Sequence, residues 1–583
     1  MMRTRLTTMA VAAALLAAWM AGSARAELPA VLKSIPADSQ VVVIIKSMDR
    51  VQECAVAVTA KVGITAKIDD LAEQMAKEKG RDFTQLDRTR AVVIVIPVVP
   101  VEDNAKVAAA ILLPVKDFDA FLKDNKAEKK GDEQILTGSA GQPLIVRKVG
   151  DYAVLADTAE IANQIAKPGK SLAETLSAQQ QKLVTEGDAF VHLNVAPLYA
   201  AVKPKLLKEL AAGPDAEAVR PILDLFQLIG EQTEALDLAV TIPADGIEIL
   251  GLLTAKEDSP MAEAMKALPK PGPTLVNNVP MGNYLIAMGG VAGVDPAGKF
   301  MQQMVAVFKP LMGKMIGDAE LAGKLIDLRM ALDKQIRTYS LSLTAGSTEG
   351  KVALPVVMTM VADVADADAA KAAAHDYLAA LATVKYPVAD GEPAAAFKLT
   401  TENVDGVTVD KVTIDLKVMM GAKAAQAAAQ ITPIIAKAFG EDVMTARMAI
   451  RGKHLVATVG GGTDALVAAF KAVDAKVNGD ADEGIAKVKA HLADPVSGVF
   501  YLRADRIANV VLGVASALAG EKLPEFGKVD EPVAISAGVK DRSVAIRFFL
   551  PNTLLKEAYS FIMQAMLMPR EAPPAGKAAT PTP

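Results

Sequence analysis

Hydrophobic and polar positions alternate in several separate stretches of this chain, and the stretches come in adjacent pairs. In 236–254, LDLAVTIPADGIEILGLLT, Leu236, Leu238, Val240 and Ile242 alternate with Asp237, Ala239 and Thr241. Period two predicts a strand, and the Ala244-Asp245-Gly246 step predicts a hairpin turn into a second strand. Ser259 followed by Pro260 then predicts a helix start. Residues 533–550, VAISAGVKDRSVAIRFFL, follow the same plan, with a turn near Lys540-Asp541 and a helix from about Asn552. Two further hairpin-then-helix units are expected at 91–124, where Asp117 starts the helix, and at 339–382.

A simpler strand-to-helix unit recurs at 39–51, 188–199, 283–294 and 497–507. YAVLADTAEIANQIA (152–166) and HLVATVGGGTDALVAAF (454–470) each pass from an apolar stretch through a pivot into a helical pattern. Taken in order, five units in the first half match five in the second. This predicts an α+β fold with two similar lobes from an internal duplication, each an antiparallel sheet of hairpins covered by helices. The first lobe is expected over 27–270 and the second over 271–568, with the joint near LPKPGPTLVNNVP (268–280). An Ala-rich helix is expected as an insertion near 416–442, and a disordered Pro/Ala tail over 569–583.

The first 26 residues carry a different pattern. Arg3 and Arg5 precede the apolar run MAVAAALLAAWMAG (9–22), and Ala24-Arg25-Ala26 has the form of a cleavage site. This predicts an export signal, a mature chain from Glu27, and a location in the periplasm or cell envelope. The run is short for a membrane span, and 553–568, the nearest later candidate, is short and holds Lys556 and Glu557. A soluble mature protein is expected. Its one cysteine, Cys54, cannot form an intramolecular disulfide and is read as core packing. Losing the three arginines of the signal takes the net charge from −5 to −8, which argues against nucleic acid as a partner.

Candidate chemistry is sparse. His192, His375, His454 and His491 form no ligand-spaced pair. KPGKS (167–171) has Gln164 where a P-loop needs its first glycine, and reads as a helix-ending turn. VGGGTDALVAAF (459–470) lacks the dinucleotide spacing and reads as a plain turn. TGSAG (137–141) fails as a nucleophile elbow. NGDADEG (478–484) is a poor calcium frame and reads as a solvated turn, while Asp363, Asp366 and Asp368 read as a helix start. No catalytic residue, cofactor or metal ligand is assigned. Met301, Met304, Phe308, Met312 and Met315 fall at near-helical spacing and are candidates for an apolar ligand groove, with Pro310 expected to kink or end their helix.

Three segments, LPAVLKSIPADSQVVVIIKSMDRV (28–51), GDYAVLADTAE (150–160) and PVSGVFYLRADRI (495–507), resemble an uncharacterised family of large exported bacterial envelope proteins. The resemblance implies an envelope location and an α+β repeat. It implies no activity, cofactor or catalytic residue. The expectation is a non-catalytic soluble protein with a binding or structural role, whose partner is an envelope protein. The alternative is a carrier or chaperone for a lipid or other apolar ligand held between sheet and helices, and the third reading is an enzyme of unrecognised class.

Overall fold

The structure is a computed structural model that describes residues 28–61, 63, 70, 73, 82–99, 107–138, 141–211, 216–270, 272, 275–293, 298–348, 351–386, 392–420, 438–439, 444–519 and 523–567. The expected signal and the C-terminal tail lie outside these residues. Of the Ala-rich segment 416–442, only 416–420 and 438–439 are described, both helical.

The first half of the chain forms β1 (Val41–Ile45), β2 (Val92–Ile96), β3 (Ala110–Pro114), β4 (Glu128–Lys130), β5 (Glu133–Thr137), β6 (Pro143–Val149), β7 (Tyr152–Ala156), β8 (Ala189–Asn194), β9 (Thr233–Thr241) and β10 (Gly246–Ala255). The second half forms β11 (Tyr284–Val291), β12 (Ile336–Thr348), β13 (Lys351–Val364), β14 (Phe397–Val404), β15 (Val407–Ile414), β16 (Met444–Arg451), β17 (His454–Val459), β18 (Gly498–Leu502), β19 (Val533–Lys540) and β20 (Ser543–Pro551). A two-residue pair, Lys385–Tyr386 with Ala394–Ala395, stands apart.

All twenty strands belong to one antiparallel sheet. Its spatial order is β4-β5-β6-β7-β3-β2-β1-β8-β9-β10-β20-β19-β18-β11-β12-β13-β17-β16-β15-β14. Read outwards from the β10–β20 contact, the order is 10-9-8-1-2-3-7-6-5-4 on one side. On the other side each number is ten higher. The sequence predicts a separate sheet in each half; instead a single sheet runs through both. β10 and β20 pair from Gly246↔Pro551 to Thr254↔Ser543. The physical reason is edge protection, because either half alone would leave a long apolar strand with unpaired backbone groups at its edge.

Helices start where the sequence places their caps. Asp117, Thr158, Ser177, Ser259 and Asp366 each accept a backbone N–H in the first turn, and Pro260 opens its helix. Asp366 caps the helix 367–381, but Asp363 belongs to β13 rather than to the helix start. Lys167 closes one helix and Ser171 opens another, as the turn reading of KPGKS requires. At 460–462 three glycines in a row take positive φ; a Cβ on Gly461 would lie 2.6 Å from a Val357 methyl carbon, so the turn there needs glycine.

One face of the sheet carries both main cores. In the first half Ile44, Val93, Leu112, Val154, Phe190 and Leu250 pack against the helices 159–166 and 178–186. In the second, Ala287, Val361, Val456, Tyr501 and Phe549 pack against the helix 462–474 and the short helix 483–488. The other face is covered at its wings. Phe121 and Leu122 of the helix 118–124 lie over Val146 and Ala153, and Ala370 and Ala374 of the helix 367–381 lie over Ala362 and Leu455. Cys54 is fully buried beside Val51 and Ile242, in the packing role expected of it. Among the described residues, no helix is long and apolar enough to cross a membrane.

Candidate binding face at the centre of the sheet

Strands β9, β10 and β20 meet where the two halves join, and their pattern of burial is inverted. Antiparallel partners project to the same side of a sheet. Leu238 and Ile546 both pair with Gly251, and Ile249 pairs with Val240 and Phe548, so these side chains share one face. Leu238 is 37% exposed, Ile249 40% and Ile546 47%. Gly251, between two of them, leaves a dip; a Cβ there would meet Leu238 at 3.6 Å and Ile546 at 4.0 Å. Around these three, Leu236, Ile247, Leu253, Ile535, Val544 and Phe548 are half-buried on the same face. No polar side chain of β9, β10 or β20 interrupts this patch between Leu236 and Val240, Ile247 and Leu253, or Val544 and Leu550. At its edge Glu234 and Arg542 form an ion pair.

The opposite face of the same strands buries charge. Asp237, between Leu236 and Leu238, is completely buried. It accepts 2.8 Å from the Gln180 amide of helix 178–186 and lies 2.6 Å from His192 Nδ1 on β8. Glu248, between Ile247 and Ile249, is 8% exposed. It hydrogen-bonds His491 Nδ1, and Arg547 lies 4.0 Å away on β20. His491 Nε2 is 3.0 Å from Asp245, and its ring stacks on Phe549 with centroids 3.8 Å apart. Burial pulls the His491 pKa down, but the hydrogen bonds to Glu248 and Asp245 outweigh it and leave the pKa raised. Close by, Asp188 is buried against Arg50 at 3.2 Å, and one of its oxygens has no hydrogen-bond partner among the described residues. Desolvation, only partly offset by Arg50, pushes the Asp188 pKa up to about 6.

The other two histidines are also engaged within the protein. His375 Nδ1 is 3.0 Å from Asp410, and His454 Nε2 is 3.3 Å from the Asn278 amide. Cross-strand or tertiary partners of this kind leave no spacing signature, which is why sequence reading missed them.

The groove candidates of the sequence sit elsewhere. Met301, Met304, Phe308 and Met312 lie on one helix, 299–316, which runs unbroken through Pro310 rather than ending there. The proline is exposed. The helix packs on three others, 216–232, 260–267 and 319–333. Met301, Met304 and Met312 are half-buried there, and Phe308 is 39% exposed; the side chain of Met315 lies outside the described residues. Leu238, Ile249 and Ile546 were not singled out by the sequence, because an alternating strand does not say which of its faces a helix will cover.

The segment 478–484 is a turn with Asn478, Ala481 and Glu483 exposed, as expected, but the side chains of Asn478, Asp480 and Asp482 are engaged within the protein. Asn478 caps a short helical turn, Asp482 caps the helix 483–488, and Asp480 pairs with Lys489 at 3.1 Å. Among the described residues, no group of three His, Cys, Asp or Glu side chains could hold a metal ion. An open cleft of about 730 Å³ lies between the start of helix 319–333 and the residues that follow helix 367–381; Asp318, Glu320, Lys324 and Lys385 make its lining mixed in charge.

No family model matches the chain, and no curated protein matches it. Among solved structures, crystal form I of TP0453 is similar over 40% of this chain and 81% of that one, with 9% identity and a TM-score of 0.21. A likeness at that score carries no argument about fold or function.

Proposed function

We propose that this is a non-catalytic, soluble protein of the periplasm or cell envelope that works by binding. Its ligand is a lipid or another apolar molecule, laid on the exposed face of β9, β10 and β20. One observation carries this reading: Leu238, Ile249 and Ile546 face outwards on strands that bury Asp237 and Glu248 on their other side. An apolar patch at the centre of a sheet, where charged side chains have been taken inside, is an unusual use of surface unless something apolar covers it. The patch offers no hydrogen bond, so it suits hydrocarbon better than a polar ligand. The envelope location rests on the export pattern of residues 1–26, and the non-catalytic reading on the lack of any nucleophile–base motif in the sequence.

We also infer that the two halves, 27–270 and 271–568, descend from an internal duplication. The shared strand order on either side of the β10–β20 contact supports this. The exposed patch then lies on the join between the two units, equally available to both. Docking of an envelope protein on this same patch is the competing reading.

Native mass spectrometry of the mature chain, purified gently from its own envelope fraction, tests the proposal. The expected result is a reproducible added mass that disappears on organic extraction and is identified as a lipid. A bare chain mass from the native fraction, with no gain on mixing with phospholipid, overturns it.

A further inference from the structure

His491 lies between two carboxylates, one on each ring nitrogen. Its Nδ1 meets Glu248 and its Nε2 is 3.0 Å from Asp245. Carboxylates only accept hydrogen bonds, and a neutral imidazole has only one N–H to give. Satisfying both contacts therefore takes one proton more than a neutral ring and two carboxylates hold, whichever atom carries it. The three groups come from opposite sides of the β10–β20 seam. Asp245 and Glu248 belong to the β9–β10 hairpin, and His491 belongs to the second half, where it stacks on Phe549 of β20. The other charges facing the cluster include Arg547, 4.0 Å from Glu248, and Glu186 of helix 178–186, 3.8 Å from Arg547. Lys61 of helix 48–61 donates 2.8 Å to Pro243 O on the same turn and attracts Asp245, which it continues to face when the His491 contact opens. Lys489, on the same turn as His491, is paired with Asp480.

We propose that His491 is a proton-operated clamp: with the extra proton it ties the β9–β10 hairpin to the second half of the sheet, and without it the Asp245 contact opens. Asp245 is the partner that lets go, because its side chain is 61% exposed and can be hydrated, whereas Glu248 is buried and must keep the remaining N–H. The same turn is held by two bonds from Asn552, the first residue of the helix that follows β20: its backbone N–H to Asp245 O and its side-chain amide to Ala244 O. Loosening Asp245 therefore reaches the end of the seam, from Gly246 to Pro551.

The test is a pH titration of the His491 ring by NMR in the full chain, with hydrogen exchange of the Gly246 and Asn552 amides at pH 5.5 and pH 8. His491 should carry both ring protons at the lower pH and titrate above the ordinary value near 6.5. After correction for intrinsic rates, the two amides should exchange severalfold faster at pH 8, because opening of the turn no longer has to break the Asp245 contact. In His491→Gln, which has a single amide group, that pH response should vanish. Titration of His491 at or below 6.5, or a response that survives in His491→Gln, overturns the clamp. If the variant does not fold, the wild-type ring titration decides alone.

Discussion

The two faces of β9, β10 and β20 are built from neighbouring residues yet meet opposite surroundings. Asp237 and Leu238 are adjacent, and so are Glu248 and Ile249; the charged member of each pair is buried and the apolar one exposed. Partners account for the difference. Gln180, His192, His491 and Arg547 reach the carboxylates from neighbouring elements, so burial leaves their oxygens bonded. Among the described residues, the helices leave Leu238, Ile249 and Ile546 partly uncovered. At the wings the same face is closed by the helices 118–124 and 367–381. Alternation sets the two faces of a strand, and the layers packed on them decide which one becomes the inside.

Substitutions should separate the two faces by the size of their effect. The largest is expected in the core: Phe190→Ala, at a 1% exposed site on the charged side, should cost about 3–5 kcal/mol in urea unfolding. A loss under about 1 kcal/mol would mean that this side is not the closed one. Asp237→Ala comes next, at about 3 kcal/mol, because Gln180 and His192 would be left buried without their acceptor. Double mutation with His192→Ala should then show strong non-additivity, and simple additivity would remove the pair from the account.

The pH dependence is a third and smaller effect. Asp188 and His491 both have raised pKa values in the folded state. Each therefore holds a proton more tightly folded than unfolded, and its contribution to stability is largest at low pH and falls as pH rises through the folded value. For Asp188 the fall lies between the ordinary carboxylate range and about 6; for His491 it lies above the ordinary histidine range. Urea midpoints should drop from pH 5 to pH 7, and Asp188→Asn should flatten the lower part of that slope. A midpoint that climbs over this interval contradicts the assignment.

The smallest effect on stability is expected on the open face. Ile546→Lys and Leu238→Lys should change unfolding by no more than about 0.5 kcal/mol, while binding of an apolar fluorescent probe falls severalfold. A large loss of stability from either would show that the face is already covered within the folded chain.

Much of the fold was legible in local chemistry. The hairpins at 236–254 and 533–550, the caps at Asp117, Ser259 and Asp366, and the two strand-to-helix passages at 152–166 and 454–470 all form where period and turn residues place them. Hydrogen bonds and side-chain contacts within a few residues are enough to set such elements. The candidate site was not legible. The Met-rich helix stood out because its spacing is helical, whereas Leu238, Ile249 and Ile546 belong to ordinary alternating strands some 300 residues apart at the extremes.

By itself, then, the sequence determined the kind and order of the elements, since those depend on neighbours along the chain. Only the tertiary structure decided that β10 and β20 join two ten-strand arrays into one sheet, that the four histidines find distant partners, and that the centre of one face stays open. These outcomes depend on which surfaces meet across hundreds of residues, and a hydrophobic period carries no information about what will lie against it.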